Sequence, residues 1–338
     1  MKKEVNSENI SNFTKFAVIF IISCGAYVVY LTYLARYVFY DQVIAGLKLT
    51  NTQLGVLYGL YGTTATIAYF PGGFLADKIR VKYLATLGFA MSAGLTFWYS
   101  TMPSYGQLKI IFLLFGLCTT LIYWGIRYKA IRLVSTEQTY PRSIGISYGV
   151  VGAVGIVVSA ISIWISNSTA DPSQGFGRVL FFYAMINAVF AVLSFILIPK
   201  FEGEIVTERR KFSLKEIVEA AKHPGVWLTT LCMFFVYTIY TSLAYTVSYL
   251  TAIGATAAMA AMIGTVRTYG TSLISSPIVG GIATKINSPS KTIIGCMAVT
   301  GICLAVLAFA PKSASFIIPA VVLIIALSFF LNGAYGVT

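Results

Sequence analysis

Charged side chains are scarce in this chain. Only 10% of its 338 residues are Asp, Glu, Lys or Arg, and 57% are hydrophobic, whereas soluble domains carry about a quarter of their residues as charges. The mean hydropathy is +0.81. This composition excludes a soluble globular enzyme and directs attention to apolar runs long enough to cross a lipid bilayer.

Side chains that bind metals or form disulfides are also few. The single histidine, His223, stands beside Pro224 in a hydrophilic stretch, where solvation is its expected state. The cysteines lie in apolar runs without CxxC spacing, which is typical of small core residues. They are Cys24, Cys118, Cys232, Cys296 and Cys303. Because no nucleophile triad, metal-ligand cluster or phosphate-binding loop is found either, the sequence predicts neither an enzyme nor a cofactor.

Carboxylates are missing from the interiors of the apolar runs. Nine of the 11 Asp and Glu residues fall in segments that also carry most of the basic residues, Asp171 lies in a short loop, and only Asp41 comes close to a run. A charge in the hydrocarbon region costs at least ~2.5–3.5 kcal/mol, so an acid kept there is a functional candidate. Its absence argues against a cationic solute and against proton coupling through a deep carboxylate. Asp41 is the one candidate for coupling.

Ten apolar runs bounded by charges, prolines or glycines are each long enough to span a bilayer. They cover residues 16–40, 52–76, 83–101, 107–128, 143–166, 178–198, 226–250, 257–283, 291–310 and 315–337. The sequence therefore predicts an all-α, polytopic membrane protein.

The basic residues are distributed unevenly among the segments that join these runs. The N-terminus and the segments 77–82, 127–142, 199–224 and 284–291 hold 18 of the 24 Lys and Arg residues. Because Lys and Arg accumulate in cytoplasmic loops, the net charge of +13 indicates topology and not nucleic-acid binding. We expect a multi-pass protein of a bacterial cytoplasmic membrane with its N-terminus in the cytoplasm.

An internal repeat divides the chain into two related halves. Residues 73–79 read GFLADKI and residues 280–286 read GGIATKI, and a proline precedes each copy, at Pro71 and Pro277. Internal repeats of this kind are common in transporter folds. We therefore interpret the chain as two homologous bundles of helices.

The repeat gives a domain organisation. We predict an N-terminal six-helix bundle at 1–199, a cytoplasmic linker at 200–224, and a C-terminal bundle of four helices at 225–338. Ser213 and Glu216 have capping-box spacing, which predicts a short surface helix over 214–222 within the linker.

The loop after the second run carries the spacing G-x-x-x-D-K-x-x-x-K over residues 73–82, which resembles the motif between the second and third spans of the major facilitator superfamily. Arg80 stands where that family usually has a second glycine, and Thr284 replaces the aspartate in the second copy. The resemblance covers essentially the whole chain. It implies two six-helix bundles that rock around a central site open alternately to each side.

The resemblance also implies a gate at the cytoplasmic face. The motif aspartate is expected to pair with a basic residue across that face in the outward-open state, so that breaking the pair permits inward opening. The predicted gating residues are Gly73, Asp77, Lys78, Lys82, Arg132, Glu137 and Arg142.

Within the superfamily, the stretches 33–36, 49–55 and 124–142 are similar to members that carry organophosphates and other anions, and to bacterial relatives of them. In the organophosphate exchangers, the seventh span supplies a second arginine. The comparable stretch 236–240 has tyrosine instead, so Tyr240 is a predicted solute contact and the two-arginine clamp does not carry over directly.

A complete member of the family has twelve spans, so the resemblance implies that the last two helices are absent from this chain. The first half occupies about 182 residues, and an equal second half would end near residue 408, about 70 residues beyond Thr338. A fragment, a truncated reading frame and a functional ten-span form all stay open.

Two arginines in or beside the runs are predicted solute ligands, because a guanidinium stays charged and presents a planar fork to carboxylate, phosphate or sulfonate groups. Arg267 precedes Lys285 by about 27 Å of helix, which places it in the outer half of the bilayer. Pairing with backbone carbonyls or Asp41 is its structural alternative. Arg36 contacts either the solute or the outer interface, and Lys129 either the solute or solvent at a helix end.

The sequence favours a secondary transporter of a small anionic solute, such as an organic anion or an organophosphate, that works by alternating access. Two alternatives stay open. One is a carrier of a neutral or zwitterionic solute such as a sugar, in which both arginines are structural, and the other is a transporter-like receptor that signals through the linker. The expected partners are the solute and membrane lipid, without nucleic acid, and the expected state is a monomer.

Overall fold

The computed structural model describes residues 10–136, 140–205, 218–219 and 221–337, and every α-helix, π-helix or 3-10 turn named below lies in these ranges. No β-strand occurs among them. The chain divides into two compact units, Met1–Thr207 and Glu208–Thr338, called here the N-terminal and the C-terminal unit.

The described part of the N-terminal unit consists of nine α-helices and one π-helical segment. Several begin at a side-chain cap: Thr50 and Ser104 form capping boxes, and Asp171 accepts a hydrogen bond from Ser173 N. The helices are α1 (Asn12–Val28), α2 (Leu31–Leu34), α3 (Arg36–Leu47), α4 (Asn51–Lys78), α5 (Val81–Ser100), α6 (Tyr105–Gly116), the π segment Leu117–Trp124, α7 (Gly125–Leu133), α8 (Tyr140–Ser166) and α9 (Pro172–Leu197).

The described part of the C-terminal unit consists of six α-helices, a second π segment and a 3-10 turn. They are α10 (Pro224–Ser242), α11 (Tyr245–Ala252), α12 (Ala257–Thr265), the π segment Val266–Gly270, α13 (Thr271–Ile286), α14 (Pro289–Phe309), the 3-10 turn Ala314–Phe316 and α15 (Ile317–Val337). In its core, Val279, Cys296 and Ala334 join α13, α14 and α15. A Cβ atom at Gly333 would lie 2.3 Å from a methyl group of Val279, so α13 and α15 are in close contact there.

Helices cover all ten predicted runs, and within the described ranges six continuous helical stretches are long and apolar enough to cross a membrane by length and composition. These are Tyr105–Leu133, Ile146–Ser166, Pro172–Leu197, Pro224–Ala252, Ser290–Phe309 and Ala314–Ala334. The stretch Tyr105–Leu133 joins α6, the π segment and α7 into one rod. The predicted surface helix over 214–222 lies largely outside the described residues.

The first predicted run, 16–40, is not one helix. It is broken between α1 and α2 and again at Ala35, and Phe39 has non-helical φ and ψ angles inside α3. Side chains from other helices replace the missing backbone N–H donors. Asn187 donates to Val28 O at 3.1 Å, and Ser92 donates to Val29 O at 3.3 Å. A broken helix at membrane depth is stable only when such partners satisfy its carbonyls.

Glycines allow close contacts between helices of the N-terminal unit. A Cβ atom at Gly116 would lie 2.8 Å from the Tyr61 carbonyl oxygen and 2.0 Å from the Thr64 hydroxyl, so α4 touches the end of α6 there. A Cβ atom at Gly25 would lie 2.0 Å from the Tyr123 hydroxyl, and that hydroxyl donates to Ile22 O at 3.0 Å. Small residues are what allow helices in membranes to approach closely.

We expect Gly116→Ala to destabilise the N-terminal unit. Alanine favours a helix over glycine by about 0.5–1 kcal/mol, but forcing an extra methyl group against a backbone carbonyl costs about 1–3 kcal/mol. The melting temperature in detergent, followed by size-exclusion chromatography after heating, measures the balance. Gly94→Ala is the matched control, because no atom lies within 4 Å of a Cβ there. Equal melting temperatures of the two variants would contradict the close contact.

Candidate functional site

Arg36 is the first residue of α3, and tyrosine rings surround its guanidinium. Its Cζ atom lies 3.7 Å from the ring centroid of Tyr58, 5.2 Å from that of Tyr37 and 5.5 Å from that of Tyr33. These three tyrosines are called the tyrosine cage below. The Nη2 atom of Arg36 donates to the Tyr37 hydroxyl at 3.5 Å. The surroundings of Arg36 are therefore aromatic side chains of the protein.

The tyrosine cage is held by its own contacts. The Tyr58 hydroxyl donates to Tyr33 O at 2.9 Å, and the Tyr33 ring stacks on Tyr61 with the centroids 4.0 Å apart. A desolvated cation over aromatic faces gains about 2 kcal/mol or more. The Nε atom of Arg36 is buried and has no hydrogen-bond partner among the described residues. The guanidinium is thus stabilised by ring faces, and its Nε–H group makes no hydrogen bond within the described ranges.

Arg127 is a buried arginine that the sequence interpretation missed, because it was counted with the basic segment 127–142. It is 6% exposed in α7, its Nη2 atom donates to Ser147 Oγ at 3.4 Å, and its Cζ atom lies 4.6 Å from the ring centroid of Tyr148. Its Nε atom has no partner in the described ranges. The signal was helical periodicity: Tyr123, Ile126, Ala130 and Ile131 are buried and place residue 127 on the same face.

Arg267 is a buried arginine of the C-terminal unit, 3% exposed, and lies in the π segment between α12 and α13. Thr268, Tyr269 and Thr271 beside it are buried too. The other predicted solute contact of this unit, Tyr240 in α10, is half-buried, and its ring stacks on Tyr237 with centroids 6.0 Å apart. The predicted solute ligands therefore fall in both units.

The loop motif at 73–82 begins in the last turns of α4, and the end of α4 contacts α7. Lys129 donates through Nζ to Ala76 O and lies within the electrostatic reach of the Asp77 carboxylate. Lys82 is buried, and its Nζ atom lies 4.8 Å from the ring centroid of Phe195. Lys129 thus contacts the backbone at the end of α4. The sequence had suggested either a solute contact or a solvated helix end, and it did not suggest this contact.

Glu204 is a second residue that the sequence interpretation left in the linker. It is 2% exposed, and its carboxylate accepts hydrogen bonds from Val81 N, at the start of α5, and from Phe201 N at 3.3 Å. Arg80, the residue before α5, has no capping side-chain bond of its own. Gly203 at φ +66° makes the turn that returns Glu204 to this helix start. Burial raises the pKa of the Glu204 carboxyl, against the opposing effects of its hydrogen bonds and of Lys129.

The other predicted residues are dispersed. Asp41 is half-buried in α3, Gly73 and Asp77 are exposed on α4, and Lys78 ends that helix with its Nζ atom 5.9 Å from the Phe74 ring centroid. Arg132 is exposed in the last turn of α7. Glu137 and the side chain of Arg142 lie outside the described residues. In the described ranges, no three His, Cys, Asp or Glu residues come together as a metal site requires.

Helices of membrane-spanning length and buried arginines define a polytopic α-helical membrane protein. The sequence profile of the Major Facilitator Superfamily matches residues 16–338. The chain belongs to this superfamily, as its loop motif predicted.

Among curated relatives, the chain is similar to two inner membrane proteins of Escherichia coli strain K12. YqcE is 24% identical over 265 residues, which are 76% of this chain and 62% of that protein. YihN is 26% identical over 259 residues, which are 75% of this chain and 62% of that protein. The chain therefore matches less than two thirds of the length of these relatives.

Two solved transporters have a similar fold. A bacterial homolog of the human lysosomal transporter Spinster, inward-facing and unoccupied, gives a TM-score of 0.69 at 14% identity, over 95% of this chain and 73% of that one. The nucleoside transporter NupG gives 0.65 at 12% identity, over 97% and 80%. At these identities the likeness concerns the fold alone, and it confirms the predicted all-α, polytopic major-facilitator architecture.

We expect Glu204 to make the stability of the N-terminal unit depend on pH. The folded protein holds this proton more tightly than the unfolded chain does, so the contribution is fully present below the ordinary carboxyl pKa of 4.5 and is lost as the pH rises through the raised folded pKa. Glu204→Gln removes it. The melting temperature of wild type relative to Glu204→Gln should therefore increase as the pH is lowered from 7.5 towards 4.5.

The exposed neighbour Glu202 supplies the control. The difference between wild type and Glu202→Gln should stay constant over the same pH range. Parallel pH profiles for wild type and Glu204→Gln would mean that Glu204 titrates alike in the folded and unfolded states.

Proposed function

We propose that this protein is a secondary transporter that moves a small anionic solute across a bacterial cytoplasmic membrane by alternating access. The observation that carries the proposal is the Arg36 guanidinium, which the tyrosine cage stabilises without a carboxylate on the described side chains around it. Membership in the Major Facilitator Superfamily supports the transport itself. The distribution of Lys and Arg supports the proposed orientation, with the N-terminus in the cytoplasm.

A guanidinium inside a span is suited to an oxyanion. It does not deprotonate, and its parallel N–H groups match the oxygens of carboxylate, phosphate or sulfonate. Arg36 and Arg127 supply such groups in the N-terminal unit and Arg267 supplies one in the C-terminal unit. Tyr240 is proposed as a neutral hydroxyl that orients the solute, while Lys129 is assigned to the gate because it contacts the end of α4.

A neutral or zwitterionic solute is the second candidate. It is favoured by the stacked pair of Tyr33 and Tyr61 beside Arg36, because aromatic faces also hold uncharged rings. Under this alternative the tyrosine cage alone compensates the lost hydration of the Arg36 charge, and the solute needs no charge of its own.

We expect anion uptake to depend on both predicted arginines. The full chain is reconstituted into proteoliposomes, and uptake of radiolabelled glucose 6-phosphate, gluconate, isethionate and glucose is measured. At least one of the three anions should enter, and Arg36→Ala or Arg267→Ala should lower its kcat/KM by about 30-fold or more, because breaking a buried charged contact costs about 2–5 kcal/mol. Arg36→Lys and Arg267→Lys should recover part of this loss, since they keep charge without the planar fork.

Arg178→Ala is the matched control for lost charge, because Arg178 is exposed in the second turn of α9 and donates to the Ser168 hydroxyl at 3.3 Å. Its uptake should equal that of wild type. Uptake of glucose that persists in Arg36→Ala and Arg267→Ala would establish the neutral alternative. Solute-induced thermal stabilisation without any uptake would establish a receptor.

The gate makes a separate prediction. Asp77→Asn should slow uptake several-fold, because Lys129 loses an attractive charge at the cytoplasmic end, while solute-induced thermal stabilisation should persist. Asp171→Asn is the control, since Asp171 caps α9 and asparagine caps a helix equally well. Wild-type uptake rates in Asp77→Asn would remove Asp77 from the gate.

A further inference from the structure

The π segment of the C-terminal unit redirects a backbone hydrogen bond. The amide N–H of Thr271 donates to Val266 O, five residues back, whereas an α-helix would direct it to Arg267 O. The Arg267 carbonyl accepts from the hydroxyl of Thr271 and, at 3.4 Å, from Nδ2 of Asn332 in α15. A side chain from another span therefore contacts the turn that carries Arg267.

The contact is part of a closed network. Asn332 Nδ2 also donates to Thr271 Oγ1 at 2.7 Å. Arg267, Thr271 and Asn332 are 3%, 5% and 7% exposed, so water competes little for these bonds. Thr265, two residues before Arg267, is 6% exposed, but its hydroxyl bonds to Ala261 O of its own helix. The link to α15 thus distinguishes Thr271 from an equally buried threonine of the same span.

The N-terminal unit has a related arrangement, in which the threonine lies inside the π segment. The hydroxyl of Thr119 donates to Phe115 O at 2.8 Å, four residues back, and lies 2.9 Å from the Tyr61 hydroxyl. Tyr30, from the first broken helix, donates to Thr119 O at 3.1 Å. In both units, a threonine of a π turn is tied to a polar side chain of a neighbouring span.

A π turn decides where its side chains point. It holds one residue more than an α turn, so the residues after it are rotated by about 100° relative to an uninterrupted α-helix. If the turn reverted to α geometry, the direction of Arg267 relative to α13 would change, because Arg267 lies at the start of the turn and α13 follows it. We propose that Asn332 and Thr271 are positioning residues that hold the π turn and thereby aim the Arg267 guanidinium at the anionic group of the solute. The inference rests on the proposed anion contact of Arg267.

The test compares variants that remove one bond each. Asn332→Leu deletes the amide donor and Thr271→Val deletes the hydroxyl, and each keeps the side-chain volume approximately. Thr271→Ser retains a hydroxyl. Thr265→Val is the control. Uptake of glucose 6-phosphate and gluconate into proteoliposomes gives KM and kcat. Backbone hydrogen exchange at residues 266–272 is measured in detergent without solute.

Asn332→Leu and Thr271→Val should raise KM about tenfold with kcat within threefold of wild type, and should speed exchange at 266–272. Thr271→Ser and Thr265→Val should have the wild-type KM and the wild-type exchange rate at 266–272. An interhelical bond with only a stabilising role changes the folding equilibrium by about threefold and would not separate KM from kcat.

Failures of the two proposals are distinguishable. If Arg267→Ala raises KM while Asn332→Leu and Thr271→Val leave it unchanged, only the positioning role is overturned. Wild-type KM in Arg267→Ala overturns the anion contact and this inference with it. Unchanged exchange at 266–272 in Asn332→Leu, or equal effects of Thr265→Val and Thr271→Val, overturns the positioning role whatever the uptake shows.

Discussion

A guanidinium enclosed among membrane helices loses its hydration, and the way this loss is compensated governs the candidate site. Around Arg36 the compensation comes from the faces of three tyrosine rings, and around Arg127 from Tyr148 and the Ser147 hydroxyl. Ring faces and hydroxyl oxygens lower the energy of a cation without cancelling its charge. A carboxylate partner would have cancelled it. The positive charge is therefore not neutralised inside the N-terminal unit, and this is the basis of the proposed preference for an oxyanion.

The same scarcity of water explains why polar side chains from other helices bond to the backbone where a helix is interrupted. The carbonyls freed where the first helix breaks are taken by Asn187 and Ser92, and Tyr58 takes that of Tyr33. Tyr58 thus donates a hydrogen bond to a free carbonyl and also packs its ring against the Arg36 guanidinium. The hydrogen bonding of the broken helix and the environment of Arg36 therefore depend on the same side chain, because Tyr58 bonds the free carbonyl and also forms part of the tyrosine cage.

Sequence reasoning found the helices because bilayer thickness and composition fix their length, and it found the superfamily through the motif at 73–82. It missed the breaks in the first run because the partners that permit them, such as Asn187, are distant along the chain. Arg127 and Glu204 were assigned to charged segments by their neighbours in sequence, although both are buried. The π turn at Arg267 has no compositional signal, because it depends on contacts across helices such as that of Asn332. Tertiary contacts decided each of these cases.

The broken first helix has a mechanical consequence. A continuous helix spreads bending over its whole length, whereas this one is interrupted near Tyr30, at Ala35 and again at Phe39. Arg36 is the first residue of α3. Arg36 therefore lies between two of these interruptions, at Ala35 and at Phe39. The guanidinium is consequently carried by a short helical piece that packs against α9, while α1 packs against α8.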